Sequence, residues 1–189
     1  MDTKTRVSAY RADIAALREK IRAAQQDAEP EVVGDYEFST PDGTVKLASL
    51  FGANDTLFVV MNMGRSCTYC TLWADGLNGV IDHLQNRASF VVSSPDAPVD
   101  QKTFAEKRGW RFQMVSHGET SFAKDMGYKN DQGFHPGICV FKKTADGIVR
   151  VSDTAFGPGD DFCSVWHLFD LLPEGTNGWQ PQYQYAANH

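Results

Sequence analysis

The stretch that most constrains this chain is Cys67-Thr68-Tyr69-Cys70, set between two kinds of local pattern. Before it runs Leu57-Phe58-Val59-Val60-Met61, an apolar segment without polar alternation, which reads as a strand buried on both faces. After it, residues 70–86 read as a helix. The turn Asn62-Met63-Gly64-Arg65-Ser66 joins the two. A thiol attacks only as thiolate, and a helix N-terminus stabilises the anion through unpaired N–H groups and the positive end of its dipole. Cys67 is therefore the expected nucleophile. Cys70, one turn further in, is the expected resolving thiol that attacks a mixed disulfide. Arg65, two residues upstream, is a candidate for favouring the thiolate.

The same pair could be half of a zinc site, which needs two more ligands. Cys139, Cys163, His135 and His167 are available, but none forms a second close pair of the usual type. No metal and no bound cofactor are expected. Cys139 lies mid-strand and reads as a small core residue. Four cysteines in 189 residues are too few and too scattered for a secreted disulfide scaffold. No apolar run approaches the roughly 18 to 20 residues of a membrane span, and the charged N-terminus lacks an apolar signal core. The expected compartment is the cytoplasm, where one close cysteine pair is more often catalytic, redox-sensing or metal-binding than structural. A net charge of −6 gives no electrostatic case for nucleic acid or an anionic membrane.

The rest of the chain reads as one α/β domain with appendages. Residues 1–30 form an amphipathic helix. Val7, Tyr10, Ile14, Leu17, Ile21 and Ala24 recur at spacings of three and four, and Pro30 ends it. That seam packs either on its own domain or, being narrow and terminal, on a partner helix, giving a homodimer. Residues 31–172 form the body: a linker over 31–34, a hairpin from 36–38 and 44–47 around the turn 40–43, then alternating strands and helices. Strands are expected at 89–93, 112–115, 138–141 and 148–151, and helices at 99–108, 121–126 and 162–172. Asp160 or Asp161 caps the last. Gly76 and Gly79 inside the first helix cost about 1 kcal/mol each relative to alanine and mark a kink or a close contact. Residues 173–189 carry Trp179, Tyr183 and Tyr185 and are expected to lie over the body. The order implies a mixed sheet with helices on both faces.

The strand, Cys-x-x-Cys, helix unit resembles thioredoxin, and His135-Pro136-Gly137-Ile138-Cys139-Val140-Phe141 resembles its cis-proline loop and following strand. The resemblance implies a three-layer α/β sandwich in which Pro136, with His135 beside it, faces the cysteine pair and helps to dock substrate. Tyr69, between the cysteines, and Arg65 complete the expected substrate-contacting set. Phe90-Val91-Val92-Ser93-Ser94-Pro95-Asp96 and the run Phe104 to Trp110 are similar to the peroxiredoxin branch. Over nearly the whole chain, the sequence is identified as a member of a bacterial thioredoxin-like group catalogued as domain of unknown function 899. The resemblance rests on Tyr36-Glu37-Phe38, on Cys70 to Gly76, on Gly109-Trp110-Arg111-Phe112 and on Leu168 to Pro173.

Departures shape the functional expectation. Ser66, Thr68 and Tyr69 replace the thioredoxin residues around and between the cysteines, and Met61 stands where thioredoxins place a buried acid. Gly64 and Val60 stand where peroxiredoxins carry a hydroxyl residue and a proline. The expectation is a thiol–disulfide oxidoreductase acting on a disulfide-containing protein or a small oxidised thiol. An atypical thiol peroxidase and a non-catalytic thioredoxin-fold scaffold are the alternatives.

Overall fold

The computed structural model describes residues 2–186; Met1 and the last three residues of the expected tail, 187–189, lie outside the described residues. Helix α1 (Thr3–Asp27) opens the chain, capped by Asp2, whose carboxylate accepts the Thr5 N–H at 3.0 Å. The elements that follow are β1 (Glu31–Val33), β2 (Glu37–Thr40), β3 (Gly43–Lys46), α2 (Leu47–Leu50), β4 (Thr56–Met61), α3 (Thr68–Gly79) and α4 (Ile81–Arg87). Then come β5 (Ser89–Ser94), α5 (Pro98–Arg108), β6 (Gln113–Ser116), α6 (Phe122–Asp125), β7 (Lys129–Asn130), β8 (Gly133–Phe134), β9 (Gly137–Thr144), β10 (Gly147–Ala155) and α7 (Ser164–Phe169).

The main sheet runs β1-β10-β9-β4-β5-β6-β2-β3. Its centre is β4, parallel to β5 and antiparallel to β9. Leu57, Val59, Val60 and Met61 of β4 are all buried, as expected of a strand covered on both faces. One face packs Val59, Met61, Val91 and Phe141 against Phe38, Leu47, Phe51 and Phe122 from the hairpin, α2 and α6. The other packs Val60, Phe90 and Val92 against Trp73 and Ala74 of α3, Ile81 of α4 and Trp166 of α7. These two apolar layers make the α/β sandwich, and they fix α3 across the sheet with its N-terminus over the end of β4.

Several boundaries differ from the sequence reading for identifiable reasons. Residues 31–34 are not merely a linker: Glu31–Val33 pairs with Ile148–Arg150 as an edge strand, and Glu31 pairs with the Arg150 guanidinium. The helix expected over 70–86 breaks at Val80 (φ −118°, ψ 14°). The break sets Ile81 into the core and frees Asn78, whose side chain bonds Gly109 O and Arg111 N. A Cβ at Gly76 or Gly79 would meet nothing within 4 Å, so no close contact explains these glycines. The last helix is shorter than 162–172, and neither aspartate caps it. Its N-cap is Cys163, with no side-chain bond. Asp160 instead accepts Phe162 N–H at 2.9 Å, Gly157 N–H at 3.0 Å and the Trp73 indole at 3.3 Å, while Asp161 pairs with Arg18 of α1. The seam on α1 does not pack on the body: the helix contributes no buried side chain. No described helix is long and apolar enough to cross a membrane.

Candidate functional site

The dithiol sits where β4 hands the chain to α3, and the intervening turn is held from both sides. Asn62 N–H donates to Ser93 O at 2.9 Å, and the Asn62 side chain accepts Gly64 N–H at 2.8 Å. The backbone then needs φ +107° at Gly64, a conformation L side chains rarely adopt. Arg65 N–H donates to Asp96 Oδ2 at 2.8 Å, and a Cβ at Gly64 would press within 3.1 Å of that carboxylate. Asp96 is itself positioned by Ser94 Oγ at 3.2 Å, and Ser94 accepts the buried Gln101 amide at 2.8 Å. A glycine at position 64 is thus demanded by this turn.

Cys67 follows as the N-cap of α3, in extended conformation (φ −95°, ψ 105°). Its Sγ accepts the Cys70 N–H at 3.0 Å, occupying the place of a capping oxygen. Its carbonyl accepts both Thr71 N–H and Thr71 Oγ1. The Cys67 thiol is lowered to about 7: the Cys70 thiol donates to it, burial opposes this, and the N–H groups of Cys70 and Tyr69 add to the lowering. Cys70 is pushed strongly the other way, by donating its proton to Cys67, by burial and by the Cys67 charge. Cys67 is half-buried while Cys70 is only 3% exposed. One helical turn therefore separates a half-buried, acidified thiol from a sheltered one held protonated, the division of labour a dithiol exchange needs.

The other expected residues distribute around this pair. The Arg65 guanidinium points to Asp100, 3.3 Å away, and the groups that lower Cys67 all belong to its own helical turn. Tyr69 stacks on Trp166 with centroids 6.1 Å apart and lines a groove of about 380 Å³ with Pro158, Trp166, Asp170 and Trp179. His135 and Pro136 lie at the same end of the sheet, because Gly137 pairs with Met61. They border a different depression, of about 440 Å³, with Tyr128, Arg150, Asp153 and Phe156. Among the described residues no hydrogen bond links either to a thiol.

The thioredoxin resemblance left the isomer of Pro136 open, and the His135–Pro136 bond is trans. Gly137 supplies the tight local shape instead, since a Cβ there would lie 2.2 Å from the Tyr128 ring and 2.5 Å from Thr154 O. Among the described residues no three His, Cys, Asp or Glu side chains group so as to hold a metal ion. Cys139 is fully buried, its thiol pushed up to about 12 by burial first and by Asp153 next.

Tyr183, one of the tail aromatics expected to lie over the body, lands beside the cysteine turn. Its hydroxyl donates to Arg65 O at 2.9 Å, its ring meets Phe104 edge-on, and its carbonyl accepts Arg108 Nη1 at 2.8 Å. Its phenol is pushed up, by burial first, and the bond to Arg65 O sets it two residues from Cys67. The available signal was the aromatic content of the tail, which does not say which ring lands where.

A mixed sheet with helices on both faces and a cysteine pair opening the helix after its central strand defines a thioredoxin-fold protein. Within that class the chain belongs to the bacterial proteins of unknown function DUF899, whose family model matches residues 8–189. Peroxiredoxins are among the solved structures of similar fold. Peroxidoxin BcpB from Mycobacterium tuberculosis is 19% identical with a TM-score of 0.58, covering 67% of this chain and 84% of that one. A PrxQ mutant from Xylella fastidiosa is 13% identical with a TM-score of 0.60, covering 70% and 89%. Reduced Prx3 from Vibrio vulnificus is 17% identical with a TM-score of 0.58, also covering 70% and 89%. No curated protein matches the chain.

Proposed function

We propose that this protein is a thiol–disulfide oxidoreductase whose working pair is Cys67 and Cys70. The observation that carries the reading is the cap: Cys67 Sγ accepts the Cys70 N–H at 3.0 Å, and beside it the Cys67 thiol is lowered while the more buried Cys70 thiol is raised, which splits the two thiols into nucleophile and reserve. The Cys67 thiolate attacks one sulfur of a substrate disulfide. A Cys67–substrate disulfide forms, the substrate S–S bond breaks, and the leaving thiolate takes a proton. Cys70 then loses its proton and attacks Cys67 Sγ, closing the Cys67–Cys70 disulfide and releasing the second substrate thiolate. Two electrons and two protons pass to the substrate, and a second dithiol returns the pair to the reduced state. No bound cofactor takes part.

The substrate class is a disulfide-containing protein or a small oxidised thiol. Tyr69 and Arg65, at the rim of the site, and His135 with Pro136, at the same end of the sheet, are the residues proposed to contact it. The cytoplasm is the proposed compartment, since its thiol pool would keep the pair reduced. Peroxide reduction by Cys67, with Cys70 resolving the sulfenic acid, is the second reading; it is favoured by the peroxiredoxin neighbours and opposed by Gly64 in place of a hydroxyl. Reduction of a model disulfide and of hydrogen peroxide by the wild type, Cys67→Ser and Cys70→Ser separates the two. The first reading requires disulfide turnover that fails in both variants. Fast, Cys67-dependent peroxide consumption without disulfide turnover would replace it with the second.

A further inference from the structure

Helix α1 is 25 residues long, about 37 Å at 1.5 Å per residue, and none of its side chains is buried. Val7, Tyr10, Ile14, Leu17 and Ile21 are each between 43% and 62% exposed. Among the described residues, the side-chain bond tying α1 to the body is Arg18 with Asp161. A free helix of this length does not hold a row of large apolar side chains toward water without a reason. With Val7 at position a of a heptad, Ile14 and Ile21 fall at a, and Tyr10, Leu17 and Ala24 fall at d. The row is a coiled-coil seam.

We infer that α1 pairs with α1 of a second copy of this chain as an antiparallel two-helix coiled coil. Two independent features select that arrangement. The first is volume. Antiparallel pairing faces Val7 with Ala24, Tyr10 with Ile21 and Ile14 with Leu17, so that neither the largest side chain, Tyr10, nor the smallest, Ala24, meets its own copy. Parallel pairing would face Tyr10 with Tyr10 and Ala24 with Ala24, crowding one layer and emptying another.

The second is charge. The g positions are Arg6, Asp13, Lys20 and Asp27. Antiparallel pairing brings Arg6 to Asp27 and Asp13 to Lys20 of the second copy, and the two-fold axis repeats each pair. On the other edge Lys4 meets Gln25 and Arg11 meets Arg18. Arg18 already carries the Asp161 carboxylate of its own body, which offsets that repulsion. Parallel pairing would offer Asp13 to Arg18 and oppose Arg6 to Arg11. A two-fold pair built this way is isologous and closes on itself as a dimer.

Sedimentation of the full-length protein across a concentration series up to about 100 μM reads the outcome directly. The wild type should sediment as a dimer. Leu17→Glu should be monomeric, with the alkylation rate of Cys67 unchanged, because Leu17 supports no part of the body's core. Asp13→Lys should weaken association about tenfold, and Asp13→Lys combined with Lys20→Asp should restore it, since antiparallel pairing exchanges the two partners. A monomeric wild type, a dimer that survives Leu17→Glu, or a double variant as weak as Asp13→Lys alone would each overturn the assignment. In the last case the helices pair in parallel.

Discussion

Replacing Cys70 with alanine tests what sets the Cys67 thiolate. The largest cause lowering Cys67 to about 7 is the thiol of Cys70, with the backbone N–H groups of Cys70 and Tyr69 behind it and burial opposing. Alanine removes the thiol and keeps the N–H groups, so the Cys67 pKa should return toward about 8.5. At pH 7 the thiolate fraction then falls from about one half to about 3%, roughly 16-fold. Nucleophilicity rises with basicity at a Brønsted slope near 0.4–0.5, recovering about fivefold. The net expectation is a fall of roughly threefold in alkylation rate at pH 7. Above about pH 9.5, where both are ionised, the variant should be about fivefold faster, so the two profiles cross. Iodoacetamide alkylation followed by mass spectrometry gives the rate at Cys67, since Cys139 and Cys163 are buried and their thiols raised. Cys70→Ser retains a donor and should keep its midpoint closer to the wild type. If Cys70→Ala and the wild type share one midpoint, the pair is not hydrogen-bonded as described and the division into nucleophile and reserve thiol fails.

Other consequences follow from individual side chains. His117 is buried, with Nδ1 2.7 Å from Ser93 Oγ, and burial first, then Lys129, depress it from 6.5 to about 4. A depressed histidine favours the folded state above the unfolded value. That contribution, about 3 kcal/mol, should be lost as pH falls from about 6.5 toward about 4. Urea midpoints over this range should fall, and His117→Gln should flatten the slope. Gly137→Ala should destabilise the fold by about 3 kcal/mol, because its Cβ meets the Tyr128 ring and a backbone carbonyl that cannot withdraw; a urea titration measures it. Tyr183→Phe removes the bond to Arg65 O, worth about 1 kcal/mol, and should loosen the tail over the dithiol. Cys67 alkylation should rise by no more than about fivefold without a shift in its pH midpoint.

The parts of the fold written in short-range pattern were readable from the residues. The unbroken apolar run at Leu57–Met61 is the central strand, and the helix read over 99–108 is α5, closed by Gly109 with φ +67°. What escaped depends on contacts between distant segments. Glu31–Val33 is a strand only because β10 runs long enough to offer it an edge. Asp160 does not cap α7; it holds the N–H groups of Gly157 and Phe162 and the Trp73 indole, the last 87 positions away. In the site, Cys67 as a cap follows from its position before the helix, whereas Arg65 turning to Asp100 and Tyr183 covering the loop are set by α5 and the tail. The thioredoxin resemblance drew attention to Pro136, whose bond is trans; the residue that shapes this loop is Gly137, whose requirement appears only once Tyr128 is seen against it.

The redox equilibrium of the pair with glutathione tests the proposed chemistry most directly. Equilibrating the full-length protein in buffers of graded glutathione composition, quenching with acid and mapping the thiols should show one transition. In it, Cys67 and Cys70 are lost together to a single intramolecular disulfide while Cys139 and Cys163 stay reduced. If instead no Cys67–Cys70 disulfide forms at any composition, or Cys67 stops as a glutathione adduct that Cys70 never displaces, the pair is not a redox dithiol and the protein is not a thiol–disulfide oxidoreductase.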